Sequence, residues 1–383
     1  MNVFWHQRDL RIPDNRGLTL AANDDTTLPV AVIDPDMLTQ IGRRQRAFLL
    51  AGLRELNRRY RRLGSDLVVR AGQPAEVLAD VTAEHSADRV YYNRHYRPAR
   101  RNRERRVDRA LPTKSVTDRV LVDPGRLAEQ YANHSRFYDE WQDEHKLAPF
   151  DAPDGGSLVD VRDDTGVPTV DVDVDLPAAG CRAARERYDQ FLDAGIETYN
   201  DTRDDMRLAV ERPVGAVSRL SPYLAAGMIG IREVWADATE RYDAAAGSAR
   251  RNVGKFRYEL SWREQNYHLL YHNPRLMTEN YKQLPNAVAW ENDAEAFEAW
   301  KRGETGYPFV DAGMRQLNEE GYVHNRPRQN VASFLTKHLL VDWPTLSDEA
   351  RDRVAPEYPH PIVDRDEAYE RAQRVFERAL GKR

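Results

Sequence analysis

The sequence predicts two lobes, an N-terminal α/β lobe built on a doubly wound parallel sheet and a C-terminal all-helical lobe. Three observations predict this. Short β-rich runs alternate with helical runs over roughly the first 125 residues, an acidic stretch follows, and almost every later segment has helical periodicity. A length of 383 residues leaves room for two or three domains. We place an α/β antenna-type domain at residues 1–134, a linker at 135–180 and a helical domain at 181–383.

Strands and helices alternate in the first lobe. Five β-rich runs are predicted as strands, at Val3–His6, Leu28–Ile33, Asp66–Arg70, Arg89–Asn93 and Ser115–Leu121. Amphipathic runs between them are predicted as helices, at Gly17–Asn23, Arg43–Leu63, Pro74–His85 and Pro98–Ala110. A parallel sheet of this kind opens its ligand crevice at the carboxyl ends of its strands. Neither GxGxxG nor GxxxxGK[ST] follows a strand, so the usual dinucleotide and triphosphate motifs are absent.

Helical spacing continues almost without interruption after Cys181. Predicted helices lie at Arg182–Ala194, Tyr223–Ala226, Ile231–Tyr242, Asn252–Tyr271, Ala294–Arg302, Pro308–Glu320, Arg328–Val341 and Asp366–Leu380. Between the lobes, residues 151–175 (DAPDGGSLVDVRDDTGVPTVDVDVD) are rich in Asp, Gly and Pro. That composition predicts an irregular acidic linker over the surface.

Composition excludes several classes of protein. No apolar run approaches ~18 residues, and the start MNVFWHQRDLR has no apolar core, so we expect neither a membrane span nor a secretory signal. The single cysteine, Cys181, excludes an internal disulfide and a CxxC metal site, and no other residues have convincing metal spacing. We therefore predict no metal, a cytoplasmic location and a monomer.

Basic residues are almost all arginine, 50 of 57, although the formal charge is −5. Arginine suits bidentate phosphate contacts, but a GC-rich genome produces the same bias. Residues 94–110 (RHYRPARRNRERRVDRA) contain eight arginines. They could form a phosphate-binding surface or a solvated helix face interleaved with Glu104 and Asp108.

The segment Ser218–Tyr223 (SRLSPY) follows a polar loop and opens a predicted helix. Serine is a frequent N-cap, and Pro222 has no N–H to donate. A helix start with free N–H groups and two hydroxyls binds anions and suits a pyrophosphate. An ordinary capped helix is the alternative.

A second motif, Glu259–Glu264 (ELSWRE), lies within a predicted helix. Glu259 and Trp262 share a face of that helix, while Glu259 and Arg263 have i,i+4 spacing. A carboxylate beside an indole can hydrogen-bond and stack on a nucleobase. The alternative is a surface salt bridge over a core tryptophan.

A third motif, His324–Asn330 (HNRPRQN), precedes an apolar helix. Its Asn, Arg and Gln side chains form a dense set of donors that could bind phosphates or the edge of a flavin ring. A polar helix cap is the alternative. Trp290 and Trp343 could be redox relays or core side chains.

Two long stretches, GETGYPFVDAGMRQL (303–317) and HNRPRQNVASFLTKHLLVDW (324–343), strongly resemble the photolyase/cryptochrome family. Four further segments are also similar to this family: ELSWRE (259–264), SRLSPYL (218–224), FWHQRDLRIPDN (4–15) and APEYPHPIV (355–363). The resemblance therefore covers nearly the whole chain. It implies an α/β antenna lobe and a helical lobe that binds FAD. It also implies that photoexcited reduced FAD donates an electron that splits cyclobutane pyrimidine dimers flipped out of DNA.

The resemblance also implies roles for individual residues. Contacts to FAD are expected from Tyr199, Val217, Ser218, Arg219, Leu220, Ser221, Asn325 and Arg328. Contacts to DNA are expected from Arg203, Glu259, Trp262, Arg326 and Gln329. Catalytic roles are expected for Glu259 and Trp262 at the dimer, Asn325 near the reactive ring, and Trp290 and Trp343 in electron transfer.

The sequence departs from the family pattern at three places. Val217 replaces the usual Thr, which removes a hydroxyl from the phosphate site, and Gln329 replaces a Met, which is more similar to the DASH cryptochrome branch. After Trp343 the family normally continues for several dozen residues that this chain lacks, including the carboxylate that pairs with Arg328. An apparent internal deletion there would weaken flavin binding, because a charged partner and further contacts are lost.

The expected partner is DNA that contains pyrimidine dimers. A second, antenna chromophore such as a deazaflavin or a folate is expected as an option, without a motif that identifies it. The alternative function is a relative without repair activity, which binds DNA or nucleotide or senses blue light.

Overall fold

The structure is a computed structural model that describes residues 1–277, 279, 284–342 and 365–382. It divides into two compact units. Unit 1 comprises Met1–Thr39, Arg46–Val170 and Pro177–Pro274, and unit 2 comprises Gln40–Gln45, Asp171–Leu176 and the described residues from Arg275 onward. The predicted domain boundaries at residues 134 and 181 stay a prediction.

Unit 1 is built on a parallel sheet of five strands in the order β3-β2-β1-β4-β5. The strands are β1 (Asn2–His6), β2 (Thr27–Ile33), β3 (Val68–Ala71), β4 (Arg89–Asn93) and β5 (Thr113–Val116). Val3, Trp5, Val30, Val68 and Val90 form its buried apolar core. The predicted doubly wound sheet is therefore confirmed, with the topological switch beside β1.

Helices separate the strands as the alternating periodicity predicts. They are α1 (Arg16–Asp24), α2 (Pro35–Thr39), α3 (Arg43–Arg62), α4 (Pro74–Glu84) and α5 (Pro98–Ala110). Asn15 caps α1 by accepting a hydrogen bond from the N–H of Leu18, and proline occupies the first turn of α4 and of α5. These local signals explain why the predicted boundaries lie close to the observed ones.

Every further α-helix that the structure describes follows β5 in the chain. In unit 1 the helices are α6 (His134–Asp143), α7 (Cys181–Ala194), α8 (Tyr199–Thr202), α9 (Met206–Glu211), α10 (Pro213–Ala216), α11 (Ser221–Ala226), α12 (Ile231–Ala244) and α13 (Gly247–His272). In unit 2 they are α14 (Ala294–Arg302), α15 (Pro308–Glu320), α16 (Asn325–Ser333), a π-helical turn at Phe334–His338, and α17 (Arg365–Ala379). No helix among the described residues is both long and apolar enough to span a bilayer.

Two expectations about unit 1 are wrong in detail. The fifth strand ends at Val116 rather than Leu121, because the N–H groups of Leu121 and Val122 donate to the carboxylate of Glu264 instead of to a strand. The acidic segment is not wholly a surface linker. Asp163 is buried, accepts a hydrogen bond from the N–H of Val69 at 2.7 Å and pairs with Arg70, so the segment packs beside β3.

A buried ion network joins the sheet to the helices of unit 1. Arg232 on α12 contacts Asp14 at 2.6 Å and Asp118 at 2.5 Å, and Arg11 contacts Asp118 at 2.6 Å. All four side chains are buried. Burial alone raises the pKa of Asp118, but Arg11 and Arg232 hold it below its usual value. Their opposite charges compensate the large cost of burying each ion.

A glycine makes this close approach possible. A Cβ atom built on Gly230, which immediately precedes α12, would lie 1.8 Å from the Asp14 carboxylate. No side chain fits in that space. The loop after β1 and the start of α12 are therefore held together by charge and by the lack of a side chain at one position.

A second buried contact, made by Glu264, joins α13 to the chain after β5. Its carboxylate accepts the N–H of Leu121 at 2.7 Å and contacts Arg263 at 3.1 Å. Burial raises the pKa of Glu264 to about 7, although Arg263 and the two N–H groups oppose the shift. The folded protein therefore binds a proton here more tightly than the unfolded chain does.

We predict that R232A lowers the free energy of unfolding by about 3–5 kcal/mol, because Asp14 and Asp118 would stay buried without that partner. The matched control is R241A, which removes a solvent-exposed contact to Asp193 and is expected to cost at most about 1 kcal/mol. Urea unfolding of both variants measures the difference. A loss below about 1 kcal/mol for R232A would show that the network is not needed for stability.

We predict a pH-dependent difference between wild type and E264Q. Folding raises the pKa of Glu264, so proton binding by this side chain stabilises the folded state. This stabilisation is fully present below about pH 4.5 and is lost as the pH rises through about 7. The free energy of unfolding of wild type relative to E264Q should fall by at most about 3 kcal/mol over this range. Urea titrations at several pH values test this, with E186Q, at an exposed position, as control; a flat difference contradicts it.

Candidate functional site

The turn Val217–Ser221 connects α10 to α11. Val217 and Leu220 are buried, Ser218 and Arg219 are half-buried, and Arg219 adopts a left-handed backbone with φ of 49°. The N-cap of α11 is Leu220, which makes no side-chain capping bond. The ordinary serine-capped helix is therefore wrong. Ser218, Arg219 and Ser221 lie within four residues of one sharp turn, a donor set that suits a phosphate, and Nη2 of Arg219 also donates to the carbonyl of Ala209 at 3.4 Å.

Tyr199, at the start of α8, packs against aromatic side chains of α7 and α13. Its ring lies edge-on to Phe191 at 5.8 Å and to Phe256 at 5.5 Å. The side-chain oxygen of Asn252 accepts the N–H of Asn200 at 2.6 Å. These contacts hold α8 against α13.

Arg203 follows α8 and pairs with Glu259 on α13, with 2.5 Å between Nη1 and Oε1. Lys255 contacts the same carboxylate at 2.8 Å. The i,i+4 pairing of Glu259 with Arg263 is therefore wrong, because Arg263 contacts Glu264 and the carbonyl of Arg119 instead. Two of the predicted DNA-contacting residues, 56 positions apart, meet on one surface.

The indole of Trp262 is 42% exposed, so the core-tryptophan alternative is wrong. One face of the indole is covered by the imidazole of His134, with ring centroids 3.6 Å apart and planes 8° apart. Trp262 lies one helical turn from Glu259, and both side chains reach solvent. An aromatic face and a carboxylate are therefore presented together on α13.

The third motif begins α16 in unit 2. His324 is the N-cap, and its Nδ1 accepts the N–H of Arg326 at 3.1 Å. Asn325, Arg328 and Gln329 are exposed, and Arg328 also donates to the carbonyl of Val323 at 3.4 Å. The polar cap is thus present, and the first two turns of α16 also display a row of donors. These residues belong to unit 2.

Tryptophans divide into core and partly exposed groups. Trp5, Trp141 and Trp300 are buried, whereas Trp290 is half-buried with its ring 6.1 Å from that of Phe376. Trp343, and with it the junction at which the family segment is missing, lies outside the described residues.

A group of buried arginines lies after the carboxyl ends of the strands, and we call Arg8, Arg100 and Arg119 the basic sheet edge. All three are buried. Burial and the neighbouring arginines lower the pKa of Arg8 to about 9 and lower that of Arg100 well below its usual value. Nη1 of Arg100 has no hydrogen-bond partner. Buried like charges of this kind are stabilised by an anion.

The basic sheet edge also acts on nearby groups. Burial raises the pKa of Tyr267, but Arg119 and Arg263 together lower it to about 7. The sequence interpretation of the arginine-rich α5 was only partly right. Arg105, Arg106 and Arg109 are exposed as a solvated face would be, whereas Arg100 is buried. Position directly after a strand was the signal that could have identified Arg8 and Arg119.

Among the residues that the structure describes, no group of three or more His, Cys, Asp or Glu side chains is arranged to hold a metal ion.

Comparison with known proteins gives a consistent family. Residues 2–154 match the family model described as DNA photolyase, and residues 256–352 match the FAD binding domain of DNA photolyase. A deoxyribodipyrimidine photo-lyase from Halobacterium salinarum is 40% identical over 385 aligned residues, which cover 93% of this chain and 79% of that protein.

Solved structures of photolyases are also similar to this chain. A bacterial class III photolyase from Agrobacterium tumefaciens is similar at a TM-score of 0.81 and 27% identity, covering 100% of this chain and 98% of that one. An archaeal photolyase from Sulfolobus tokodaii, solved with two FAD molecules, has a TM-score of 0.79 at 24% identity, covering 99% and 100% of the two chains. The second likeness concerns the fold alone.

Proposed function

The chain belongs to the photolyase/cryptochrome family, and from that premise we propose that it splits cyclobutane pyrimidine dimers in DNA under blue light. The observation that supports this most directly is the exposed indole of Trp262 beside the Glu259–Arg203 pair. A flat aromatic face and a carboxylate suit a base that has left the duplex, because the base can stack and donate its ring N–H groups.

FAD is the cofactor of the family, and the residues of this chain fit it. Ser218, Arg219 and Ser221 would hold the pyrophosphate, since the start of α11 has no side-chain cap and these three side chains are hydrogen-bond donors in the turn before it and at its first residue. Val217 and Leu220 would contribute apolar contacts from the same turn. When bound, reduced FAD supplies the light-driven electron that splits the dimer.

Three further residues are proposed to contact the flavin. Tyr199 would contact it from unit 1, where Phe191 and Phe256 fix its ring. Asn325 and Arg328, on the exposed start of α16, would donate to the polar edge of the flavin ring. Trp290 and Trp343 remain proposed members of an electron-transfer chain.

The protein's own work is recognition of the damaged base. Glu259, held by Arg203 and Lys255, would accept hydrogen bonds from the flipped bases, while Trp262 would stack on them. Flipping costs a few kcal/mol and costs least for a poorly stacked lesion, which favours dimers over normal pairs. Arg203, Arg326 and Gln329 would contact the DNA around the lesion.

We also propose that a second, anionic chromophore binds at the basic sheet edge. The supporting observation is that burial, together with the neighbouring arginines, lowers the pKa of Arg8 and of Arg100. A chromophore with a phosphate or carboxylate group, such as a flavin nucleotide, a deazaflavin or a folate, would relieve that repulsion.

Two finer statements complete the proposal. We propose that the protein acts as a monomer. It works in the cytoplasm of a cell whose DNA lies there, because its substrate is that DNA.

We predict that the FAD-reconstituted protein repairs a thymine-dimer oligonucleotide in blue light and not in the dark. W262A should lower dark affinity for the dimer by about 5- to 150-fold, through lost stacking, and E259Q should lower both affinity and repair. E186Q, at an exposed glutamate of α7, is the control. Absence of repair above the flavin-free background, with binding retained, would favour the alternative of a relative without repair activity.

We predict that R100M raises the melting temperature of the ligand-free protein, because it removes a buried like charge; about 1 kcal/mol corresponds to a few degrees. R105M, an exposed position on the same helix, should change it little. Added flavin mononucleotide should stabilise wild type more than R100M. An equal shift in both variants would place the second chromophore elsewhere.

A further inference from the structure

His134 covers the inner face of the Trp262 indole. It is the first residue of α6 and lies 127 positions before Ser261, the neighbour of Trp262. The two rings are parallel within 8° at 3.6 Å, and His134 itself is only 6% exposed. One face of the indole is therefore sealed by imidazole, and the remaining exposed surface is available to a ligand.

The imidazole is held by two residues of α13 that flank Trp262 in sequence. Its Nδ1 contacts Oε1 of Gln265 at 2.6 Å, and its Nε2 contacts the hydroxyl of Ser261 at 3.0 Å. The Ser261 hydroxyl also donates to the carbonyl of Tyr258 at 2.6 Å, so the serine that contacts the imidazole is itself held in place. Because both partners lie on the helix that bears Trp262, the imidazole plane is set relative to the indole.

Other rings prevent the imidazole from tilting. Tyr258 lies edge-on to it at 4.8 Å with an interplanar angle of 88°, and Phe137 lies at 5.8 Å. Rotation about the side-chain bonds of His134 would break two hydrogen bonds and collide with these rings. The imidazole is therefore a rigid platform.

We propose that His134 is a positioning residue, which fixes the plane of the Trp262 indole so that its open face is ready to stack on a flipped base. This inference rests on the function proposed above for Trp262. The stacked geometry and the two hydrogen bonds that orient the imidazole support it.

Fixing the indole before DNA binds has a clear physical benefit. A partly exposed tryptophan without a backing ring samples several rotamers, and ordering it on binding reduces affinity. Aromatic pairs in contact gain about 0.5–1.5 kcal/mol beyond buried area. Loss of the platform should therefore weaken dimer binding by about 2- to 10-fold without removing any group that touches DNA.

The first test measures order in the indole without DNA or light. The near-ultraviolet circular dichroism band of Trp262 is the spectrum of wild type minus that of W262F. The same band is then measured as H134A minus H134A/W262F. We expect it to be lost or strongly reduced in H134A, and a band of unchanged intensity would overturn the proposal.

The second test is a double-mutant cycle on dark binding of a thymine-dimer oligonucleotide. H134A should weaken binding by about 2- to 10-fold in the wild-type background and have no further effect in W262A. H134F keeps a flat ring in place and should lie closer to wild type than H134A. An equal loss in both backgrounds would mean that His134 does not act through Trp262.

The matched control is H268L. His268 is also buried on α13 and contacts the carbonyl of Ala128, but its ring packs on Phe137 and Tyr131 rather than on Trp262. The H268L substitution should leave the circular dichroism band of Trp262 unchanged. If the band depends on His134 but neither W262A nor H134A alters dimer binding, then His134 does fix the indole and the function proposed for Trp262 is wrong.

Discussion

The buried ion network of Arg11, Asp14, Asp118 and Arg232 is the constraint on which the rest of unit 1 depends. It ties the loops after β1 and β5 to α12 through contacts of 2.5 and 2.6 Å. Each carboxylate has an arginine on it, so neither charge is buried alone. Because α12 leads directly into α13, this network helps to place the helix that carries Glu259 and Trp262.

The two faces of helix α13 make different contacts. Glu264 is directed inward and accepts N–H groups of the chain after β5, whereas Trp262 faces solvent. Glu259 contacts Arg203 rather than Arg263 of its own helix. One helix therefore connects the sheet, the surface with Glu259 and Trp262, and His134. The rigidity of the sheet supports the order of that surface.

Arginines play opposite parts in the same unit. Arg11 and Arg232 are buried and fully opposed by carboxylates, so they stabilise the fold. Arg8 and Arg100 are also buried, but arginines are prominent among their charged neighbours, which lowers their pKa values. The formal charge of −5 gives no hint of this difference. Local surroundings, and not net charge, separate a structural arginine from one that suits an anionic ligand.

Periodicity and chain order by themselves determined the parallel sheet and most helix boundaries, and short motifs indicated the family, because all of these depend on residues close together in sequence. The tertiary structure alone decided the partners. Arg203 reaches Glu259 across 56 positions, His134 reaches Ser261 across 127, and Arg119 reaches the carbonyl of Arg8 across 111. Arg263, the i,i+4 partner expected for Glu259, contacts Glu264 instead, whereas Glu259 contacts Arg203 from the segment after α8. Spacing describes one helix face, whereas the folded chain determines what lies opposite that face.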